Sequence, residues 1–228
     1  MIRIENVETY GWEAAIRGMR NPKNSWSKSD SRLWESTNRF EIGESDLALM
    51  QTLANAGTDH GKFLRMITVT LDITAPLYWW KEYDTYKVGT VANSCSTMHK
   101  IADKEFTLDD FSHEHLLSMA NNDAGDALFL NDANNIRVDG DGLLCLTINV
   151  LNYYRGRYIK TKDKRYWWQM IQILPSSYNQ RRTVQLNYAV LRNMYHARKA
   201  HKLDEWRNFC EWVETLPYAK ELIVGVQT

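Results

Sequence analysis

The sequence carries no excess of either charge: 28 Lys and Arg stand against 28 Asp and Glu, for a formal charge of zero. A protein that neutralises phosphates over its whole surface is thereby excluded, although a local basic face is not. Three cysteines, Cys95, Cys145 and Cys210, are too few and too widely spaced for a disulfide framework or a zinc pattern, so a reducing compartment is expected. Four prolines and 11 glycines are too few for a disordered or repetitive chain. No apolar run reaches the roughly 18 residues that a membrane span requires, and the opening MIRIENVETYGWEAA has charges where a signal peptide would be apolar. The expectation is a cytoplasmic protein with neither a membrane nor a nucleic acid as partner. Nucleophile-elbow, P-loop and dinucleotide-fingerprint motifs are missing.

Aromatic residues, by contrast, are plentiful: 9 Trp, 12 Tyr and 6 Phe, several side by side. Such clusters build cores, subunit interfaces or platforms for planar ligands. The 228 residues suffice for one well-buried domain, and no repeat or long linker divides them, so a single domain over 1–228 is expected. Ile2, Ile4 and Val7 suggest an opening strand. Trp12, Ala15, Ile16 and Met19 have helical spacing, with Asn21-Pro22 as the stop. Residues 23–37 read as a loop, and Ser45 as the N-cap of a helix ending at Gly57. The β-branched stretch 63–74 reads as a strand, and Pro76 opens a helix through Tyr78, Trp79 and Trp80. Five helical patterns follow: one capped by Thr107, then 143–154, 164–174, a long one over 178–199, and 203–216. Residues 121–142 are loop-rich. The fold class expected is α+β, a small sheet with long helices.

His113-Glu114-His115 resembles a metal cluster, but on a helix residues two apart point about 200° from each other, so no shared ion is expected. Asp132, Asn134, Asp139 and Asp141 hint at a calcium loop, yet Ile136 and Arg137 occupy ligand and glycine positions. No metal site follows. Cys95 near His99 admits a thiol nucleophile or a small buried thiol. Arg181, Arg192 and Arg198, 11 and 17 residues apart, would share one face of a long helix. With Arg182, Asn187 and Asn193 they offer the donors that phosphates and carbonyl-rich bases require, or else make a solvated face. In YWWKEYDTYK (78–87), Trp79 and Trp80 beside Lys81 could stack on a ring or pack in a core.

The order of these elements is similar to that of the flavin-dependent thymidylate synthase family. The residues that carry the resemblance are Gly57, His60-x-x-Phe63, the strand after it, and Ser94-Cys95-Ser96. Later come Leu174-Pro175, Tyr178, Gln180, and the segment with Asn187, Asn193 and Arg198. The resemblance implies a thymidylate synthase-complementing-protein-like fold, assembled as a homotetramer with active sites between subunits. It further implies FAD and dUMP as ligands, with NADPH and methylenetetrahydrofolate as co-substrates. By position, His60, Asn187 and Asn193 would contact flavin, and Trp79, Trp80 and Lys81 stand at its clamp. Arg198 would polarise the uracil carbonyl, where methyl transfer builds negative charge. Ser94 or Ser96 would bind the nucleotide phosphate; Thr90 lies at the family's serine spacing, and Arg181, Arg182 and Arg192 are further nucleotide contacts.

The sequence departs from the family at two places. Trp79-Trp80-Lys81 or Trp80-Lys81-Glu82 stands in place of the Arg-His-Arg signature, and Ala189 replaces an arginine two residues after Asn187. Two readings result: a diverged enzyme methylating a pyrimidine nucleotide, or a non-catalytic protein that binds or sequesters a nucleotide, for example a signalling nucleotide in a phage–host conflict. A structural oligomer without ligand is the third.

Overall fold

The computed structural model describes residues 2–34, 39–118, 128–131 and 136–225. The expected calcium-loop residues Asp132 and Asn134 lie outside them. In chain order the regular elements are β1 (Arg3–Tyr10), α1 (Trp12–Arg20), β2 (Arg32–Trp34), β3 (Arg39–Glu41), α2 (Glu44–Asn55), β4 (Thr68–Pro76), α3 (Leu77–Tyr83), β5 (Val91–Ser94) and α4 (Thr97–Lys100). There follow β6 (Leu128–Asn131), β7 (Ile136–Val138), α5 (Gly140–Thr161), α6 (Lys164–Ile173), β8 (Asn179–Asn187), α7 (Tyr188–Arg198) and α8 (Asp204–Glu214). A four-stranded sheet has the order β1-β4-β8-β5, and β2-β3 and β6-β7 form antiparallel ribbons. The chain divides into two compact units, a larger one of residues 2–73, 82–93 and 182–228 and a smaller one of 74–81 and 94–181.

In the larger unit, strict alternation along β4 buries Val69, Leu71 and Ile73 while Thr68, Thr70 and Asp72 stay partly exposed. The apolar stripe expected for α1 is buried as spaced, from Trp12 through Met19. Residues 63–65, read as the start of the strand, instead belong to a 3₁₀ turn, Gly61–Arg65, that buries Phe63 and Leu64. α2 begins two residues earlier than an N-cap at Ser45 would place it, with Gly43 at the N-cap position. Its cap comes from far away: the Asp30 carboxylate accepts the Ser45 and Asp46 amides at 2.9 and 3.0 Å. Gly43 makes this possible, since a Cβ there would lie 2.2 Å from Asp30 Cγ. Local sequence cannot display a cap borrowed from another segment.

Beneath that cap lies a fully buried carboxylate. Asp46 accepts Arg20 Nε at 2.6 Å and the hydroxyls of Ser29 and Ser31 at 2.7 Å each. Burial alone would raise its pKa, but the Ser31, Ser29 and Arg20 donors outweigh burial and hold it below the ordinary carboxylate value.

The smaller unit is mainly helical. α5 and α6 bury Leu144, Ile148, Leu151 and Met170 with Ile101, Phe106 and Phe111 in one apolar cluster. The Asn152 carboxamide closes the edge, exchanging two bonds with the Phe106 backbone at 2.9 and 2.8 Å.

Two expected helices are corrected. The segment after Thr107 makes only a 3₁₀ turn, Leu108–Asp110, because the Asp110 carboxylate folds back onto the Thr107 amide at 3.0 Å. Phe111 then bridges to Tyr178. The long helix of 178–199 is instead strand β8 followed by the shorter α7. Burial alternates at Gln180, Val184 and Leu186, and Asn187 caps the helix by accepting the Val190 amide at 3.1 Å. Among the described residues no group of three His, Cys, Asp or Glu could hold a metal, and no helix is long and apolar enough to cross a membrane.

Asp46→Asn is expected to lower stability by about 3–5 kcal/mol at neutral pH, since it leaves the buried Arg20 charge uncompensated. Because the native carboxyl titrates below its unfolded value of about 3.9, its contribution is complete above that value and disappears as pH falls through the native one. Melting curves of both proteins should therefore differ by a constant margin from pH 7 to about 5 and converge below about 4; a margin independent of pH would contradict this. Cys210, whose thiol burial pushes up to about 12 with Glu214 adding to it, should resist a thiol reagent in the native protein, while the exposed Cys95 and Cys145 react. Three fast-reacting thiols would contradict its placement.

Candidate functional site

In the smaller unit, the start of β8 and the chain around α4 are fastened together at Gln180. Its backbone carbonyl accepts the Trp80 indole N–H at 2.9 Å, and its side-chain Nε2 donates to the Cys95 carbonyl at 2.9 Å. The next carbonyl, that of Arg181, accepts the Cys95 amide at 2.9 Å. Ser96 then caps α4, its Oγ accepting the His99 amide at 3.2 Å.

These bonds shape an open cavity of about 350 Å³, lined among others by Ser96, Thr97, Lys100, Tyr178, Gln180 and Arg181. Arg181 is exposed, Lys100 pairs with Asp103 at 2.8 Å on the rim, and burial pushes the Tyr178 phenol above its usual range. Two hydroxyls, two carboxamides, a phenol ring and three cations against the single carboxylate of Asp103 surround the cavity, and the excess of donors suits a polar, negatively charged ligand with a planar part.

In the larger unit, Arg198 at the end of α7 is held on every side. Its Nη1 donates to Glu82 Oε2 at 2.7 Å and its Nε to the Tyr86 hydroxyl at 2.9 Å. The guanidinium lies 4.9 Å from the Trp206 ring centroid and 5.6 Å from that of Tyr86. Glu82 also accepts the Trp206 indole N–H at 3.1 Å, with His201 Nε2 at 3.4 Å.

The residues singled out from the sequence fall into distinct settings. Ser96 and Arg181 line the cavity; Ser94, the exposed last residue of β5, does not. Trp79 and Trp80 are 0% and 1% exposed, edge to face at 4.9 Å, so the stacking platform expected of them is corrected to core packing. Lys81 is the one cation at the signature position, and it is exposed. These residues do not fit the diphosphate of a flavin dinucleotide: in either placement of the signature Lys81 is the one cation, beside a buried tryptophan.

Arg181 and Arg182, neighbours on a strand, point to opposite faces; Arg182 is committed to Asp84 at 2.7 Å. Arg192 donates to the Ala54 carbonyl at 3.0 Å, and burial lowers its pKa. The shared face of Arg181, Arg192 and Arg198 is thus corrected, because the first lies on a strand and the others on a helix. Asn187 spends its oxygen as a cap, and Thr90 donates to the Tyr86 carbonyl. His60 and Asn193 are exposed. Asn193 and Arg198, five residues apart, diverge by about 140° around α7, so their side chains do not converge on one ligand.

His113 and His115 lie in a non-helical stretch, where His113 Nδ1 meets the Phe111 carbonyl at 2.9 Å. Lys100, Thr97 and Glu82 were not anticipated as site residues. Lys100 has a signal in hindsight, four residues after Ser96 and so one turn along the same short helix.

No family model matches the sequence, and no curated protein matches it. Solved structures do match the fold. One is flavin-dependent thymidylate synthase ThyX from Helicobacter pylori complexed with FAD and dUMP, at a TM-score of 0.67 and 16% identity over 99% of this chain and 100% of that one. Another is the UMP/dUMP methylase PolB from Streptomyces cacaoi bound with 5-Br dUMP, at 0.59 and 14% over 99% and 96%. A second PolB structure, with 5-Br UMP, gives 0.59 and 15% over 99% and 94%. The resemblance noted in the order of sequence motifs is therefore met across the whole chain: this protein has the thymidylate synthase-complementing α+β fold of the flavin-dependent thymidylate synthases.

Proposed function

We propose that this protein is a diverged relative of the flavin-dependent thymidylate synthases, one domain over its whole length, that binds a pyrimidine nucleoside monophosphate of the dUMP type. The observation that carries the reading is that Ser96 and Arg181, distant in sequence and each singled out there as a nucleotide contact, line one cavity. A phosphate dianion accepts hydroxyl and guanidinium donors together, and each charge-assisted bond contributes about 1.5–3 kcal/mol. Lys100 adds charge on the same wall and Tyr178 an aromatic surface for the ring.

The reading favours binding without flavin chemistry. The buried tryptophans remove the dinucleotide clamp, and Glu82 neutralises part of the Arg198 charge that would otherwise stabilise an oxyanion. The catalytic alternative, methylation of dUMP with FAD, NADPH and methylenetetrahydrofolate, is favoured by one fact: the Helicobacter pylori neighbour holds both FAD and dUMP. A homotetramer in the cytoplasm completes either version.

Thermal unfolding with dUMP tests it. At a concentration of about 100 Kd the ligand should stabilise by about 2.7 kcal/mol, a rise of roughly 5–10 °C for a chain of this size. Arg181→Ala should abolish the rise in a protein that still unfolds cooperatively without ligand. A yellow preparation that releases FAD would establish the catalytic alternative. No rise with dUMP, UMP or FAD would refute both.

A further inference from the structure

Residues 153–168, YYRGRYIKTKDKRYWW, contain six cations and one acid, a net charge of +5 within a chain that is neutral overall. The remainder must therefore carry −5, so positive charge is concentrated here rather than spread evenly. The segment is the end of α5, the turn at Lys162 and the start of α6, and it lies wholly in the smaller unit.

Three of the six cations have local partners. Arg155 donates to the Ala102 carbonyl at 3.0 Å, Arg157 to the Tyr166 hydroxyl at 2.7 Å, and Arg165 pairs with Asp163 at 2.7 Å. Among the described residues, no ion pair engages Arg157, Lys160, Lys162 or Lys164, all of which are exposed. They are interleaved with rings. Arg157 sits 5.0 Å over Tyr166, which stacks on Tyr154 at 26°. Lys162 lies 5.8 Å from Tyr158, and Lys164 lies 5.9 and 5.7 Å from Trp167 and Trp168. Tyr153 and Trp168 remain 60% and 44% exposed. Exposing such rings to water is unfavourable unless something covers them.

We propose that this α5–α6 corner is a binding surface for single-stranded nucleic acid. Lysine and arginine head groups neutralise successive phosphates, and the open faces of Tyr153 and Trp168 accept unstacked bases, which is the combination that single strands require. This reverses the expectation drawn from the neutral total charge, which describes the chain and not its faces. The surface is separate from the Ser96–Arg181 cavity, since the two share no residue, and the proposal stands or falls independently of the nucleotide reading. A membrane of anionic lipids would ask instead for an aliphatic face beneath the cations, and of the exposed side chains in this segment only Ile159 is aliphatic.

Fluorescence anisotropy with a labelled 20-nucleotide oligo-dT and its RNA counterpart tests the proposal. Four neutralised phosphates give a salt slope of about −3 for a single strand, so affinity should fall by about 50-fold between 50 and 200 mM salt. The triple variant Lys160→Gln, Lys162→Gln, Lys164→Gln should flatten that slope to about −1. Trp168→Ala should weaken binding by about 5- to 150-fold with the slope unchanged. Circular dichroism melting identifies a variant that has unfolded, and each substituted side chain is exposed. The proposal is overturned if neither strand binds at 50 mM salt, if a duplex binds as tightly as the single strand, or if phosphatidylserine vesicles bind and the oligonucleotides do not. It is overturned equally if the variants bind as the parent does.

Discussion

The candidate site depends on one buried polar group finding a partner. An indole N–H enclosed in apolar surroundings costs about 1–3 kcal/mol if left unbonded, and Trp80 is enclosed. The Gln180 carbonyl supplies the partner and fixes the first residues of β8. With the backbone so held, the Gln180 side chain and the Arg181 carbonyl both reach Cys95. The consequence is geometric: with the strand anchored by these bonds, Ser96 and Arg181 come to one cavity.

That dependence also explains why the tryptophans do not act as a platform. A ring that anchors a strand from inside cannot offer its face to a ligand. Arg198 shows the same logic in the larger unit. Its guanidinium bonds Glu82 and Tyr86 and lies against Trp206, so its first role is to join α7 to the chain around Glu82 and to α8. Where chemistry needs a donor aimed at developing charge, a donor already paired with a carboxylate is weakened.

Much of the fold was legible in the residues. The stripe Trp12, Ala15, Ile16 and Met19 specified α1, and the apolar stretch from Leu143 and the aromatic one from Lys164 specified α5 and α6. The motif order from Gly57 to Arg198 indicated the fold family, which the whole-chain match to solved structures bears out. What stayed hidden was non-local. The Asp30 cap on α2 crosses from another segment, and the Asp110 carboxylate ends a helix that Thr107 announced. The stretch 179–187 carries Arg, Gln and Leu, which favour helix, yet it became a strand because β4 and β5 offered their edges. The same misreading gathered three arginines onto a face that does not exist. At the site, Ser96 and Arg181 were legible as donors, but Lys100 and Gln180 needed the fold to bring them alongside.

The most direct test of the central claim compares dUMP with 2′-deoxyuridine by isothermal titration calorimetry. If the phosphate seats between Ser96 and Arg181, losing it removes at least one charge-assisted bond, and dUMP should bind at least about 10-fold more tightly than the nucleoside. Equal affinities, or no heat from either compound, would contradict the account.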